Sequence, residues 1–310
     1  MAVLIDPPAW PAHGTLFSHL VSDASLEELH AFAAAQGVSP RAFDLDHYDV
    51  PAHRHAELVG RGAVAVTGGE LVRRLTRSGL RVPARRRPAQ LRPVLHRRWR
   101  RLFEATEARA EAVDALGTAL LERWSEPHRA YHGLEHLLGV LEALDLLEQD
   151  GARPAPDPRT LRLAAWFHDA VHAGDPTAPP GRDEEDSAAL AEQLLADPAL
   201  ALPAQAREQT ARLVRLTADH RPVPGDHAGE LLCDADLEVL GRSPEAYARY
   251  TAAVRREYAH VPEADWVRGR AAVLESLLAP DVLYRTAPAR ARWEDQARQN
   301  LTAELTALRG

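Results

Sequence analysis

LRLAAWFHDAVH, residues 161–172, reads as one buried helix in which two ionisable side chains, His168 and Asp169, stand side by side. A run this apolar belongs in a core, where a carboxylate without a partner costs several kcal/mol. Asp169 therefore requires a cation, a hydrogen-bond network or contact with water.

Outward from this stretch the helical pattern continues. ALGTALLERW, HLLGVLEALDLLEQ, SAALAEQLLAD, AREQTARLVRLTADH, PEAYARYTAAVRREYAH and ARWEDQARQNLTAELTAL all carry apolar residues three and four apart, and loops with Pro and Gly separate them. With no strand alternation among them, residues 97–310 are expected to form an all-α domain. Residues 1–80 read differently. MAVLID and GAVAVTG (62–68) suit buried strands, Ser25 and Glu28 make a capping box ahead of a helix, and ELVRRLTRSGL suits a helix closed by Gly79. This part is expected to be a small α/β domain, making the chain α+β overall. RVPARRRPAQLRPVLHRRWRR, from Arg81 to Arg101, holds three prolines and nine arginines, so residues 81–96 are expected to be a solvated basic linker.

A chain of 310 residues with 45% hydrophobic content can bury two cores. Its net charge of −8 argues against general nucleic-acid binding. The single cysteine, Cys233, excludes an intramolecular disulfide or a thiolate metal cluster and fits a reducing cytosol. The amino terminus has no basic region ahead of its apolar residues, and no stretch approaches the roughly 20 apolar residues of a membrane helix. A cytoplasmic protein without a membrane partner is expected. No lysine occurs anywhere, which removes Schiff-base chemistry and a P-loop lysine together.

Elsewhere in the helical part the polar residues interrupting apolar faces are His132 and His136 in YHGLEH, Thr217 and His220 in LTADH, and Asp234 and Asp236 in CDADLEVLG. Neighbours on a helix diverge by about 100°, yet His168 and Asp169 can both lean toward one ion above it. YHGLEH offers His132 and His136 one turn apart on one helical face, and CDADLEVLG offers Asp236 just as a helix begins, so two further helices would complete a mixed imidazole and carboxylate set suited to a divalent ion such as Mn, Mg, Fe or Zn. Water would fill its remaining positions.

The order His136, His168-Asp169, Asp236 resembles the HD superfamily of metal-dependent phosphohydrolases, and YHGLEH with FHDAV resembles a bacterial branch of that superfamily, over roughly residues 97–310. The resemblance implies that His136, His168, Asp169 and Asp236 are metal ligands, with Asp234 the alternative should the register of DAD shift. It implies an enzyme that hydrolyses a phosphomonoester or phosphodiester, a nucleotide being the expected class, by attack of metal-bound hydroxide. Asp169, Glu184 or Glu185 would take the proton, Glu184, Glu185 and Ser187 would line the pocket or orient water, His220 would bind the phosphate or a second metal, and Arg215 would clamp the phosphate. HDAVHAG is similar to a run in cyclic-nucleotide phosphodiesterases that would give His172 a role. The alternative is a regulatory protein that binds metal and nucleotide without turnover. Leucine-rich faces leave a homodimer open.

In the first domain, DPPAWPAHG, FSHLVSD and DLDHYDVPAHRHAEL concentrate His13, His19, Asp44, Asp46, His47, Tyr48 and Asp49 in loops beside the expected strands, where α/β units place functional groups. The stretch resembles a small bacterial domain of unknown function recognised by DPPxWPAHG and DHYDVP, which supplies no activity. Turn and capping roles account for such residues, and a second metal or nucleotide site would too.

Overall fold

A strand running from Thr15 to Ser22 occupies the middle of the sheet of the first unit. The computed structural model describes residues 2–83, 86–153, 155–175 and 177–310, and the chain divides into units Met1–Arg87 and Pro88–Gly310. The strands of the first unit are β1 (Val3–Ile5), β2 (Trp10–Ala12), β3 (Thr15–Ser22), β4 (Phe43–Asp44), β5 (His47–Pro51) and β6 (Val64–Ala65). They pair in the order β4-β5-β3-β1-β6, with β2 folding onto β3 through a turn at His13 and Gly14, both at positive φ. Among the described residues only β6 lies parallel, beside β1. It is short and exposed, unlike the buried strand expected of GAVAVTG.

FSHLVS and HYDVP are strands and not the loops expected. Their alternation is the reason: Leu20, Tyr48 and Val50 enter the core on one face while His19, His47 and Asp49 take the other. Helices α1 (Leu26–Ala35) and α2 (Ala52–Gly60) cover the apolar face through Leu29 and Leu58. Helix α3 (Gly68–Arg77) packs Leu71 and Leu75 on Leu4 and Val21 of the opposite face. Ser25 caps α1 by accepting from the Glu28 amide, but the Glu28 carboxylate takes the Ser22 hydroxyl, so the capping box is only half formed.

The second unit is all-helical: α4 (Pro88–Arg101), α5 (Ala110–Arg123), α6 (Leu134–Gln149), α7 (Pro158–Phe167), α8 (Arg182–Leu194), α9 (Ala204–Leu216), α10 (His227–Asp236), α11 (Pro244–Glu257), α12 (Glu263–Leu278) and α13 (Ala287–Arg309). Helix α4 occupies part of the stretch expected as a linker. A proline at its first position costs nothing there, and the buried face of Leu91, Leu95 and Trp99 outweighs the hydrogen bond lost at Pro93. Arg98 is held by Asp145 and Arg92 by Ser125. The core joins Trp99, Trp124, Trp166 and the leucines of α5 and α6 in one cluster. Among the described residues no helix is long and apolar enough to cross a membrane.

Gly117 of α5 lies against the Trp99 indole, and an added Cβ would sit 2.8 Å from its Nε1, with Cδ1 closer still. Alanine is the better helix former by about 1 kcal/mol. Trp99, however, is fully buried and its N–H donates to the Val113 carbonyl at 2.7 Å, so the ring has nowhere to move. Overpacking at about 1–3 kcal/mol should win. Gly117→Ala is therefore expected to lower the urea midpoint, and an unchanged or raised midpoint would refute the clash.

Candidate metal centre

Helix α7 stops at Phe167, and His168 is its C-cap, so HDAVH lies in turns just beyond the helix and not inside it. Side chains have taken over the backbone partners there. His168 Nδ1 donates to the Ala165 carbonyl at 2.8 Å, and Arg129 donates through Nη1 to the Asp169 carbonyl at 2.7 Å and through Nη2 to that of Ala170 at 3.3 Å. Ser187 accepts from the Val171 amide at 2.9 Å and so fixes this turn from α8. His136 stands in the first turn of α6, whereas His132 precedes the Gly133 cap, so the two do not share a helical face. Asp236 is the last residue of α10, where a helix start was expected. His220 lies past the end of α9 with a φ of 54°.

These ends bring four side chains to one point. His136 Nε2 lies 3.0 Å from His168 Nε2, 3.1 Å from Asp236 Oδ1 and 3.5 Å from Asp169 Oδ2. His168 Nε2 lies 3.3 Å from Asp236 Oδ1 and 3.2 Å from Asp169 Oδ2. An ion with bonds of about 2.0–2.2 Å separates neighbouring ligand atoms by about 3.0–3.5 Å, the spacing seen here. The His168 Nδ1–H bond to a carbonyl also leaves Nε2 with its lone pair turned inward, as ligation requires. The donor set thus fits a divalent ion.

Burial works against charge on all four groups, and their mutual pairing overcomes it. The Asp169 and Asp236 carboxyls are held well below the usual carboxylate range beside His168 and His136, and both imidazoles are raised by the two carboxylates. Two imidazole nitrogens facing each other at 3.0 Å need a proton or a metal ion between or beside them.

His220 reaches the cluster, its Nε2 lying 2.8 Å from Asp236 Oδ2. Glu184 stands close enough to feel Asp169 and His220, and burial followed by the Asp169 charge raises its pKa. Glu185 and Arg215 do not arrive: they form a bidentate pair at 2.7 and 2.8 Å on the surface, with Glu192 also on Arg215. Asp234 faces away, accepting the Arg285 and Thr286 amides at 2.7 Å just before α13, and burial pushes its pKa up to about 6. Register therefore favours Asp236. Thr217 turns its hydroxyl to the Val214 carbonyl.

Beside the cluster, His132 Nδ1 bonds Glu257 at 2.7 Å, and Glu257 also accepts the Tyr131 and His132 amides. His172 Nε2 is buried 3.7 Å from the same carboxylate without a hydrogen bond among the described residues, apart from the four-residue set. Sequence reasoning missed Arg129 and Glu257, because neither interrupts an apolar face. It missed a cleft as well, of about 550 Å³, where His136 and Tyr131 meet Arg242, Arg249 and Arg256. Arg242 is committed to Glu238. Arg249 and Arg256 make no ion pair among the described residues, and the spacing of α11, which presents them, resembles that of any solvated helix.

Residues 3–78 match the family described as a protein of unknown function, DUF4031, in keeping with the resemblance carried by DPPAWPAHG and DHYDVP. That match lies within the first unit, apart from the cluster on the helices. No curated protein and no solved structure matches the chain significantly.

Proposed function

We propose that the helical unit is a metal-dependent phosphohydrolase of the HD type, acting on a phosphomonoester or phosphodiester and most readily on a nucleotide. The observation that supports this reading is the convergence of His136, His168, Asp169 and Asp236 at ligand spacing. These four residues would hold a divalent ion, which supplies an activated water near neutral pH and positive charge for phosphoryl oxygens. His220 fixes the rotamer of Asp236 through its second oxygen. Glu184, half-buried and with its pKa raised by that burial, is the side chain suited to accept the proton of the attacking water. It replaces Glu185 in that role, just as the arginines of the His136 cleft replace Arg215. Arg249 and Arg256, without an ion pair among the described residues, offer guanidinium groups for the phosphate oxygens.

The test is metal analysis of the full chain followed by a panel of nucleotides and simple phosphoesters with Mn and Mg. Hydrolysis is expected, and Arg249→Ala should raise KM about tenfold or more with kcat nearly unchanged, the loss of one charged hydrogen bond. Metal and nucleotide binding without any turnover would replace this reading by the regulatory one. Absence of both would remove the centre altogether.

A further inference from the structure

The first unit holds a second histidine cluster that the helical centre does not use. His19 on β3 stands opposite Asp49 on β5 in the antiparallel register, and His47 lies two residues before Asp49. Residues two apart on a strand share a face, and side chains diagonal across a pair remain within reach. The three therefore meet on the face opposite Leu20, Tyr48 and Val50.

Each imidazole is held from behind by its own carboxylate. Asp6 Oδ2 lies 3.0 Å from His19 Nδ1, and its other oxygen accepts the His19 amide at 2.6 Å. Asp46 Oδ1 lies 2.6 Å from His47 Nδ1, while Asp46 Oδ2 accepts from the Val82 amide at 2.6 Å and from Arg81 at 3.1 Å. Both carboxylates are buried, so these grips exclude water. Holding Nδ1 leaves Nε2 as the working atom of each ring. The rings meet edge to face with centroids 4.7 Å apart, and Asp49 Oδ1 lies 3.4 Å from His47 Nε2 and 3.9 Å from His19 Nε2. All three ligand atoms fall within 4.8 Å of one another.

A carboxylate behind each of two converging imidazoles is the outer shell that orients histidine toward a metal. Against the effect of burial, the Asp46 and Asp49 carboxylates push the His47 pKa up to about 9, so a divalent ion binds here by displacing a proton from that ring, as metal affinity generally requires. Asp49 is 46% exposed and free to swing the remaining distance, and the same exposure leaves the outer side of the site open. Imidazole-rich sets of this kind select transition ions over Mg and Ca.

We infer that His19, His47 and Asp49 bind a first-row divalent transition ion, oriented by Asp6 and Asp46, with solvent-facing positions left for water or an anionic ligand. The site is separate from the helical centre and does not depend on it.

The full chain carrying Asp169→Ala and Asp236→Ala, which disables the helical centre, is dialysed against Zn(II) or Co(II). It should retain one ion per chain, with Co(II) showing visible absorption of an imidazole-ligated site. Adding His19→Gln or Asp49→Asn, both at partly exposed positions, should weaken binding more than about 100-fold with the circular dichroism unchanged. Asp46→Asn, which touches no ion, should weaken it about 10- to 100-fold. A helix-disabled chain that binds no ion, or His19→Gln and Asp49→Asn variants that bind as tightly as their parent, would overturn the assignment. His19→Gln in an otherwise intact chain should still hold the helical ion, so the two centres are judged separately.

Discussion

Asp169→Ala should lower metal content by one ion per chain and cut phosphoester turnover by more than about 100-fold, since even outer partners of a metal site cost 10- to 100-fold when removed. Asp169 presents Oδ2 to both His136 and His168, at 3.5 and 3.2 Å, and Asp236 is the other carboxylate beside the two rings, so removing Asp169 leaves one anionic ligand where two stood. Asp236 already divides its oxygens between those imidazoles and His220. Asp169→Asn serves as the control for shape, because it fills the same volume with a neutral and weaker donor. Metal counting by mass spectrometry and turnover on the best substrate of the panel decide the matter. A variant with full metal content and full activity would dismiss the proposed centre.

Arg129→Ala should cost about 3–5 kcal/mol, the range for breaking a buried charged network by removing one partner. The Arg129 side chain is fully buried, and its guanidinium donates to the carbonyls of Asp169, Ala170 and His132 while lying 5.6 Å from the Trp124 ring centre. Its pairing with the partly exposed Glu126 adds little by comparison. Three carbonyls would lose their donor at once, two at the turn that carries His168 and Asp169 and one, that of His132, just ahead of α6. Arg129→Lys should recover only part of the loss, because an ammonium cannot fork across separated acceptors. Urea unfolding and metal titration together read the effect: both stability and affinity should fall. A midpoint equal to that of the parent would show that water satisfies those carbonyls.

What the sequence makes legible is the place where polarity conflicts with burial. His168 and Asp169 stand out because AAWF precedes them, and the second unit shows its helices through apolar spacing alone. Helix ends are less visible. The α7 end depends on Arg129 and Ser187, which are remote in sequence and bring no periodic signal with them. Glu185 and Arg215 look functional for their charge, but two exposed opposite charges on α8 and α9 find each other more readily than a buried site. In the first unit the difficulty is reversed. FSHLVS and HYDVP alternate as strands do, yet their histidines and aspartates make them resemble turns, and only the pairing of His19 with Asp49 shows that one face carries all the polarity.

The four side chains of the helical centre stand on helix ends: the first turn of α6, the exit of α7 and the last residue of α10. Termini are the parts of a helix that fray first, and these three belong to different segments of the chain. An ion bound there would act as a rivet, and its binding free energy would enter the folding of the unit as well as its chemistry. Chelation would then release the three ends to open separately while the tryptophan and leucine core beneath them stayed closed.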